Sequence, residues 1–115
     1  VLDYREMKVV DGGYPLRPEI IESAYYLHRK TGDPRYLEMG RVFLEDLVKH
    51  CRTEAGFAAI KDVRTMEKAD SMESFLFAET LKYLYLLFAP DAAFDLDAHV
   101  LTTEAHPLKP VPARR

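Results

Sequence analysis

The sequence predicts a mainly α fold: three helices, with short extended pieces between and after them. Three observations carry that prediction. An amphipathic stripe runs over residues 34–50, a dense apolar run fills 70–88, and stop and start signals stand where helices would end and begin.

Taken in order, residues 1–16 read as loop or short extended structure, with Asp11-Gly12-Gly13 as a turn signal. A first helix follows over about 18–30, with Pro18 at the first helical position, where a missing N–H costs nothing. Thr31-Gly32 ends it, glycine taking the left-handed cap. Asp33-Pro34 opens the second helix, about 34–50, as N-cap and first residue. Its stripe is Tyr36, Leu37, Gly40, Phe43, Leu44, Leu47 and Val48, and Arg35, Glu38, Arg41, Glu45 and Lys49 face the other way, as on an outer surface.

Residues 51–69 break the helical period, and Gly56-Phe57-Ala58-Ala59-Ile60 reads as a short strand in a hairpin. The third helix is expected over about 70–88. Asp70-Ser71-Met72-Glu73 has capping-box spacing, with Glu73 as the reciprocal partner. The middle of this helix is apolar on every side, which predicts burial on every side. Two other helices are too few to cover it, so its remaining packing partners are expected outside this chain. Ala89-Pro90 stops it. Residues 97–104 look extended, and Pro107, Pro110 and Pro112 make the tail irregular.

Composition narrows the function classes. The 115 residues carry a net charge of −3 with both signs interspersed, which leaves no electrostatic footprint for nucleic acid or an anionic membrane. Arg114–Arg115 reads as a frayed tail. No stretch is long and apolar enough to span a bilayer. The chain opens on Val1-Leu2-Asp3, without Met or a signal peptide, as a fragment or processed product would. Cys51 has no partner for an internal disulfide and reads as a small buried hydrophobe. His28, His50, His99 and His106 lack zinc-ligand spacing.

Four carboxylates and a threonine remain as candidates for chemistry. Glu79 lies in the apolar helix beside Met72, Phe75, Leu76 and Tyr83, where a buried carboxylate needs a cation, a metal-bound water or a donor. Lys82 or a backbone group would also satisfy it. Glu19 and Glu22 share a face at a helix start, where acids also simply favour the helix dipole. Arg17 precedes them and is placed to orient a carboxylate by a bidentate contact. Thr103-Glu104 offers hydroxyl, carbonyl and carboxylate oxygens, the ligands of a hard cation. These groups make one site only if the fold brings them together.

Three segments resemble the motifs of glycoside hydrolase family 47, the class I α-mannosidases, in the family's order. They are Tyr14-Pro15-Leu16-Arg17-Pro18-Glu19-Ile20-Ile21-Glu22-Ser23; Asp70-Ser71-Met72-Glu73-Ser74-Phe75 with Ala78-Glu79-Thr80-Leu81-Lys82-Tyr83-Leu84; and Thr103-Glu104-Ala105-His106-Pro107-Leu108. The resemblance implies an (α/α)7 barrel closed by a C-terminal β-hairpin or plugging strand, here about 97–104, of which this chain is the C-terminal segment. It implies Ca2+-dependent inverting hydrolysis of α-1,2-linked mannose. By carry-over, Glu19 is the general base and Thr103 the direct calcium ligand. Glu22, Glu79 and Glu104 hold waters or sugar hydroxyls, Phe75 packs on the mannose ring, and Arg17 with Pro18 shapes the same subsite.

The implied partners are a mannose-containing glycan and the N-terminal remainder of the same domain. That remainder would carry the general acid, which has no matching motif here, so the isolated chain is expected to be inactive. The implied compartment is the secretory pathway of a eukaryote, or the periplasm or exterior of a bacterium. Two other readings stand beside this one. A helical-repeat interaction module would use Thr31–Val48 as its hairpin but has no need of an embedded Glu79 or of the Thr103-Glu104 tail. A degradation-branch mannosidase-like protein, towards which Tyr14–Glu19 leans, would have glycan recognition as its main role.

Overall fold

The chain forms three helices and three small hairpins; this computed structural model describes residues 1–111, so Pro112 and the Arg114–Arg115 pair lie outside the described residues. Strands β1 (Leu2–Asp3) and β2 (Lys8–Val9) pair antiparallel within the segment expected to be loop or short extended structure. Helix α1 (Glu19–Thr31) starts one residue after the expected proline, because Pro18 itself is the N-cap. Gly32 ends it in the left-handed region at φ 68°, and its N–H donates to the His28 carbonyl at 2.8 Å.

Helix α2 (Pro34–Asp46) begins under Asp33, whose carboxylate accepts from the Arg35 N–H at 2.9 Å. It runs on as a wider π turn, Leu47–Cys51, one residue beyond the expected end. Arg41 holds Glu38 and Glu45 on the exposed face, while Gly40, Leu47 and Cys51 are buried. Val48, expected in the apolar stripe, stays 40% exposed. Gly40 is where α2 meets the third helix: a Cβ there would overlap Leu87 Cδ2 and press on Ile21 Cδ1 at 3.2 Å. The absent side chain lets the helices pack this closely.

Strands β3 (Ile60–Asp62) and β4 (Glu67–Lys68) form the second hairpin. The paired strand starts at Ile60, later than expected, although Ala58 and Ala59 are buried on the approach. This hairpin repeats the chemistry of the first. Asp-x-Arg-x-Met occurs at 3–7 and again at 62–66. In each, the aspartate Oδ1 accepts from the arginine N–H at 2.9 Å, and the methionine takes a left-handed φ, 50° at Met7 and 57° at Met66. Tyr14 and Ile60 exchange backbone hydrogen bonds at 2.8 Å, tying the two hairpin regions together.

The third helix departs most from expectation. Asp70–Glu73 is not helical and no capping box forms. The Ala69 N–H donates to the Ala59 carbonyl at 2.7 Å and the Ser71 carbonyl accepts from the Ala59 N–H at 2.9 Å, so this segment is held alongside the second hairpin. Glu73 accepts from the Ser71 hydroxyl instead of reaching back to an N-cap amide. Helical structure begins at Phe75 and passes through a π turn, Leu76–Thr80, into α3 (Leu81–Phe88). Nor is the helix buried on every side: Leu76, Tyr83, Leu84 and Leu87 are, whereas Phe77 is 58% and Tyr85 66% exposed. The buried set joins Leu16, Ile21, Tyr25, Leu47 and Ile60 in one core, on which α1, α2 and α3 all pack.

After a 3-10 turn, Asp91–Ala93, the chain makes a third hairpin from β5 (Val100–Leu101) and β6 (Pro107–Leu108). The expected extended run over 97–104 is therefore two residues of strand with turns on either side. Asp95 breaks it, its carboxylate accepting from the Asp97 N–H at 2.8 Å and the Ala98 N–H at 3.2 Å. Pro107, expected in an irregular tail, is part of β6. No helix is long and apolar enough to cross a membrane among the described residues.

Candidate active site

The third helix organises the site, because three of its side chains reach three remote segments. The buried Thr80 hydroxyl donates to the Leu16 carbonyl at 2.8 Å, fixing the chain just before Arg17-Pro18-Glu19. The Tyr83 hydroxyl donates to Glu22 at 3.3 Å. Lys82 Nζ donates to the Ala105 carbonyl at 2.8 Å, fixing the tip of the third hairpin. Glu79, one helical turn before Lys82 and Tyr83, lies among these contacts.

Both anchored backbones are unusual. Leu16 and Ala105 are fully buried, and each takes a left-handed conformation without being glycine, at φ 66° and 57°. Such a conformation costs roughly 1–2 kcal/mol for a residue with a Cβ, and it persists where the surroundings over-determine it. The core seats both side chains, and the third helix holds both carbonyls.

The candidate carboxylates act on one another through space, and the effect falls on Glu79. Burial pushes the half-buried Glu79 carboxyl above its ordinary range, and the charges of Glu104, Glu22 and Glu19 push it further in the same direction. Lys82 opposes them, but its ammonium is hydrogen-bonded to Ala105 rather than to Glu79. Among the described residues Glu79 has no ion-pair partner. The sign of this effect is testable. An acid whose folded pKa lies above its unfolded one binds more protons in the native state, so stability falls as pH rises through that interval. With a chelator present, Glu79→Gln is expected to gain in melting temperature relative to wild type as pH rises past the ordinary Glu value of 4.5. A difference that stays flat with pH would contradict this account of Glu79.

The other candidate residues are placed as follows. Glu19 is exposed at the first residue of α1. Arg17 meets it through one nitrogen at 3.3 Å, not through the bidentate contact expected. Pro18 is buried and Phe75 half-buried. Thr103 and Glu104 are exposed in the turn between β5 and β6, and His106 lies 3.9 Å from Glu104. Among the described residues no three His, Cys, Asp or Glu side chains are grouped to hold a metal directly. Thr80, Tyr83 and Thr102 were not singled out from the sequence as site residues, and Lys82 was weighed only as a partner for Glu79, whereas it bonds the Ala105 carbonyl. For Thr102 a signal was present, since threonine beside a turn commonly bonds its own backbone.

Comparison with known proteins identifies the family. The model of the family described as Glycosyl hydrolase family 47 matches residues 3–110. The chain is 55% identical over 95 residues, 81% of its length, to human "ER degradation-enhancing alpha-mannosidase-like protein 3". It is 48% identical over 105 residues, 91% of its length, to Arabidopsis thaliana "Mannosyl-oligosaccharide 1,2-alpha-mannosidase MNS1". It spans only 10% and 19% of those two proteins. Its structure matches the alpha-1,2-mannosidase from Trichoderma reesei with a TM-score of 0.79 and 39% identity, covering 88% of this chain and 22% of that one. A family model that covers most of the sequence, with relatives near half identity along it, establishes that the chain belongs to glycosyl hydrolase family 47.

Proposed function

We propose that this chain is the C-terminal segment of a calcium-dependent, inverting α-1,2-mannosidase domain and supplies part of its active site. The observation that carries the reading is the uncompensated charge around Glu79. The carboxylates of Glu19 and Glu22 from the start of α1, and of Glu104 from the third hairpin, all act on one half-buried acid of the third helix. A repeat module has no use for such a cluster. The relatives' names supply the substrate class, 1,2-alpha-linked mannose on mannosyl-oligosaccharides, and the ER named in one of them accords with the secretory-pathway option.

In this reading the helices belong to an αα-barrel, the third hairpin lies in its floor, and the remaining helices cover exposed Phe77 and Tyr85. The donors suit Ca2+. They are all oxygen, hard, and net negative: Lys82 only partly offsets the charge at Glu79, which has no ion-pair partner among the described residues. Thr103 would be the direct protein ligand, through hydroxyl and carbonyl. Since no three acidic side chains are grouped to hold a metal directly, Glu22, Glu79 and Glu104 would act through waters or sugar hydroxyls. Bound there, the ion would hold and polarise oxygens of water and sugar.

The chain's own groups do the rest. Glu19 accepts a proton from the water that attacks the anomeric carbon. Phe75 offers an apolar surface to the sugar ring, and Arg17 with Pro18 borders the same subsite. The leaving oxygen takes its proton from an acid outside this chain. Inversion requires the two carboxyl groups to stand about 6.5–9.5 Å apart, with the water between base and sugar.

The test is an assay of the complete enzyme on α-1,2-linked mannobiose, following the anomeric proton by NMR, with and without chelator. We expect the first-formed mannose to be inverted and its release to be chelator-sensitive, and we expect the 115-residue chain alone to be inactive. Retention of configuration would overturn the mechanism. Turnover by the isolated chain would place the acid within it.

A further inference from the structure

The turn that carries Thr103 and Glu104 is fixed from two directions. Within the turn, Thr102 makes every closing contact. Its hydroxyl accepts from the Glu104 N–H at 3.3 Å and the His106 N–H at 3.1 Å. Its N–H donates to the His106 carbonyl at 3.0 Å, and its carbonyl accepts from the Ala105 N–H at 2.9 Å. From outside, Lys82 on α3 holds the carbonyl of Ala105, the buried left-handed residue of the turn. By contrast, the Thr103 hydroxyl makes no hydrogen bond among the described residues, and the Glu104 carboxylate meets only His106, at 3.9 Å. The backbone is pinned while the two outward side chains keep their oxygens available.

We propose that Thr102 and Lys82 are positioning residues for the calcium and sugar site. They set where Thr103 and Glu104 stand relative to Glu79, without touching ion or substrate themselves. Thr102 acts through the amides it gathers, Lys82 through the Ala105 carbonyl. Preset ligands bind a metal without having to be ordered at the moment of binding. This inference rests on the mannosidase reading.

The test uses the complete, metal-stripped enzyme and three readouts: calorimetric Ca2+ affinity, kcat and KM separately, and metal-free melting temperature. Thr102→Val keeps the shape and removes the oxygen; Thr102→Ser keeps the oxygen and removes the methyl. Thr102→Val is expected to weaken Ca2+ binding by about 10–100-fold and to raise KM, with Thr102→Ser recovering to within about threefold of wild type. Lys82→Met is expected to shift Ca2+ affinity in the same direction, with Lys82→Arg partly restoring it, and it keeps the proposal testable should Thr102→Val fail to fold. A purely structural role would lower the melting temperature and leave the affinity of the folded protein unchanged. Wild-type Ca2+ affinity in both Thr102→Val and Lys82→Met, or no recovery in Thr102→Ser, overturns the inference while an active wild type leaves the mannosidase reading standing. An inactive wild-type enzyme overturns both.

Discussion

In the complete enzyme, Glu19→Gln lowers single-turnover mannose release by about 10²–10⁴-fold, the usual worth of general acid–base help, and leaves sugar affinity near wild type. Glutamine keeps the shape and an acceptor oxygen but cannot take a proton from water. The residue's position makes the test clean. Glu19 is exposed at the start of α1 and meets Arg17 through a single solvent-facing contact, and such pairs contribute about 0–1 kcal/mol. Loss of its charge beside the helix dipole removes roughly another 0.3–1 kcal/mol. A large kinetic loss would therefore not arise from unfolding. Calorimetric binding of a non-hydrolysable mannobioside separates binding from chemistry. Near-normal turnover would return Glu19 to the status of a helix-end acid.

Thr103→Ala should fail in the opposite way, losing calcium and substrate affinity together. Its hydroxyl makes no hydrogen bond among the described residues, and the turn is closed by Thr102. Its removal therefore takes a ligand and leaves the scaffold. The backbone carbonyl survives in alanine, so Ca2+ binding is weakened rather than abolished, by roughly 10–100-fold or more, at least the effect of losing a residue that merely supports a ligand. Calorimetry with and without chelator checks it. Sugar affinity that persists while Ca2+ affinity falls would mean that the metal does not hold the sugar.

The two halves of this pattern were not equally legible in the sequence. Helix limits governed by local chemistry were: Asp33 caps α2, and Gly32 closes α1 in the left-handed conformation. The start of the third helix was not. Asp70–Glu73 has the spacing of a cap, but Ala59 captures the backbone of that segment, and a tertiary contact overrides a local motif. Glu79 stood out from its apolar surroundings, whereas the joining of all four carboxylates and Thr103 into one site came from the family resemblance, since spacing left the others with ordinary helix or turn roles. The groups that draw their segments together were hidden for a different reason. Thr80 and Leu16 are 64 residues apart, Tyr83 and Glu22 are 61 apart, and Lys82 and Ala105 are 23 apart. No local pattern reports such pairings. The paired Asp-x-Arg-x-Met hairpins were visible as text, but their equivalence emerges only from the matched left-handed methionines.

The π turn at Leu76–Thr80 has a consequence for how the chain tolerates insertion and deletion. A π turn is an α-helix carrying one extra residue. Removing one residue there would restore a regular helix, and the apolar segment would still bury much of its surface. The helix faces before and after the excision would stay in register, because the π turn absorbs the extra residue locally, and only the Leu76–Thr80 turn itself would be re-aimed. Glu79 and Thr80, which lie in that turn, would shift relative to Lys82 and Tyr83, which follow it in α3. The links to Leu16, Glu22 and Ala105 could not all be kept. At this point the reading frame of the helix and the geometry of the site are the same constraint, so point substitutions can accumulate where a single-codon deletion cannot.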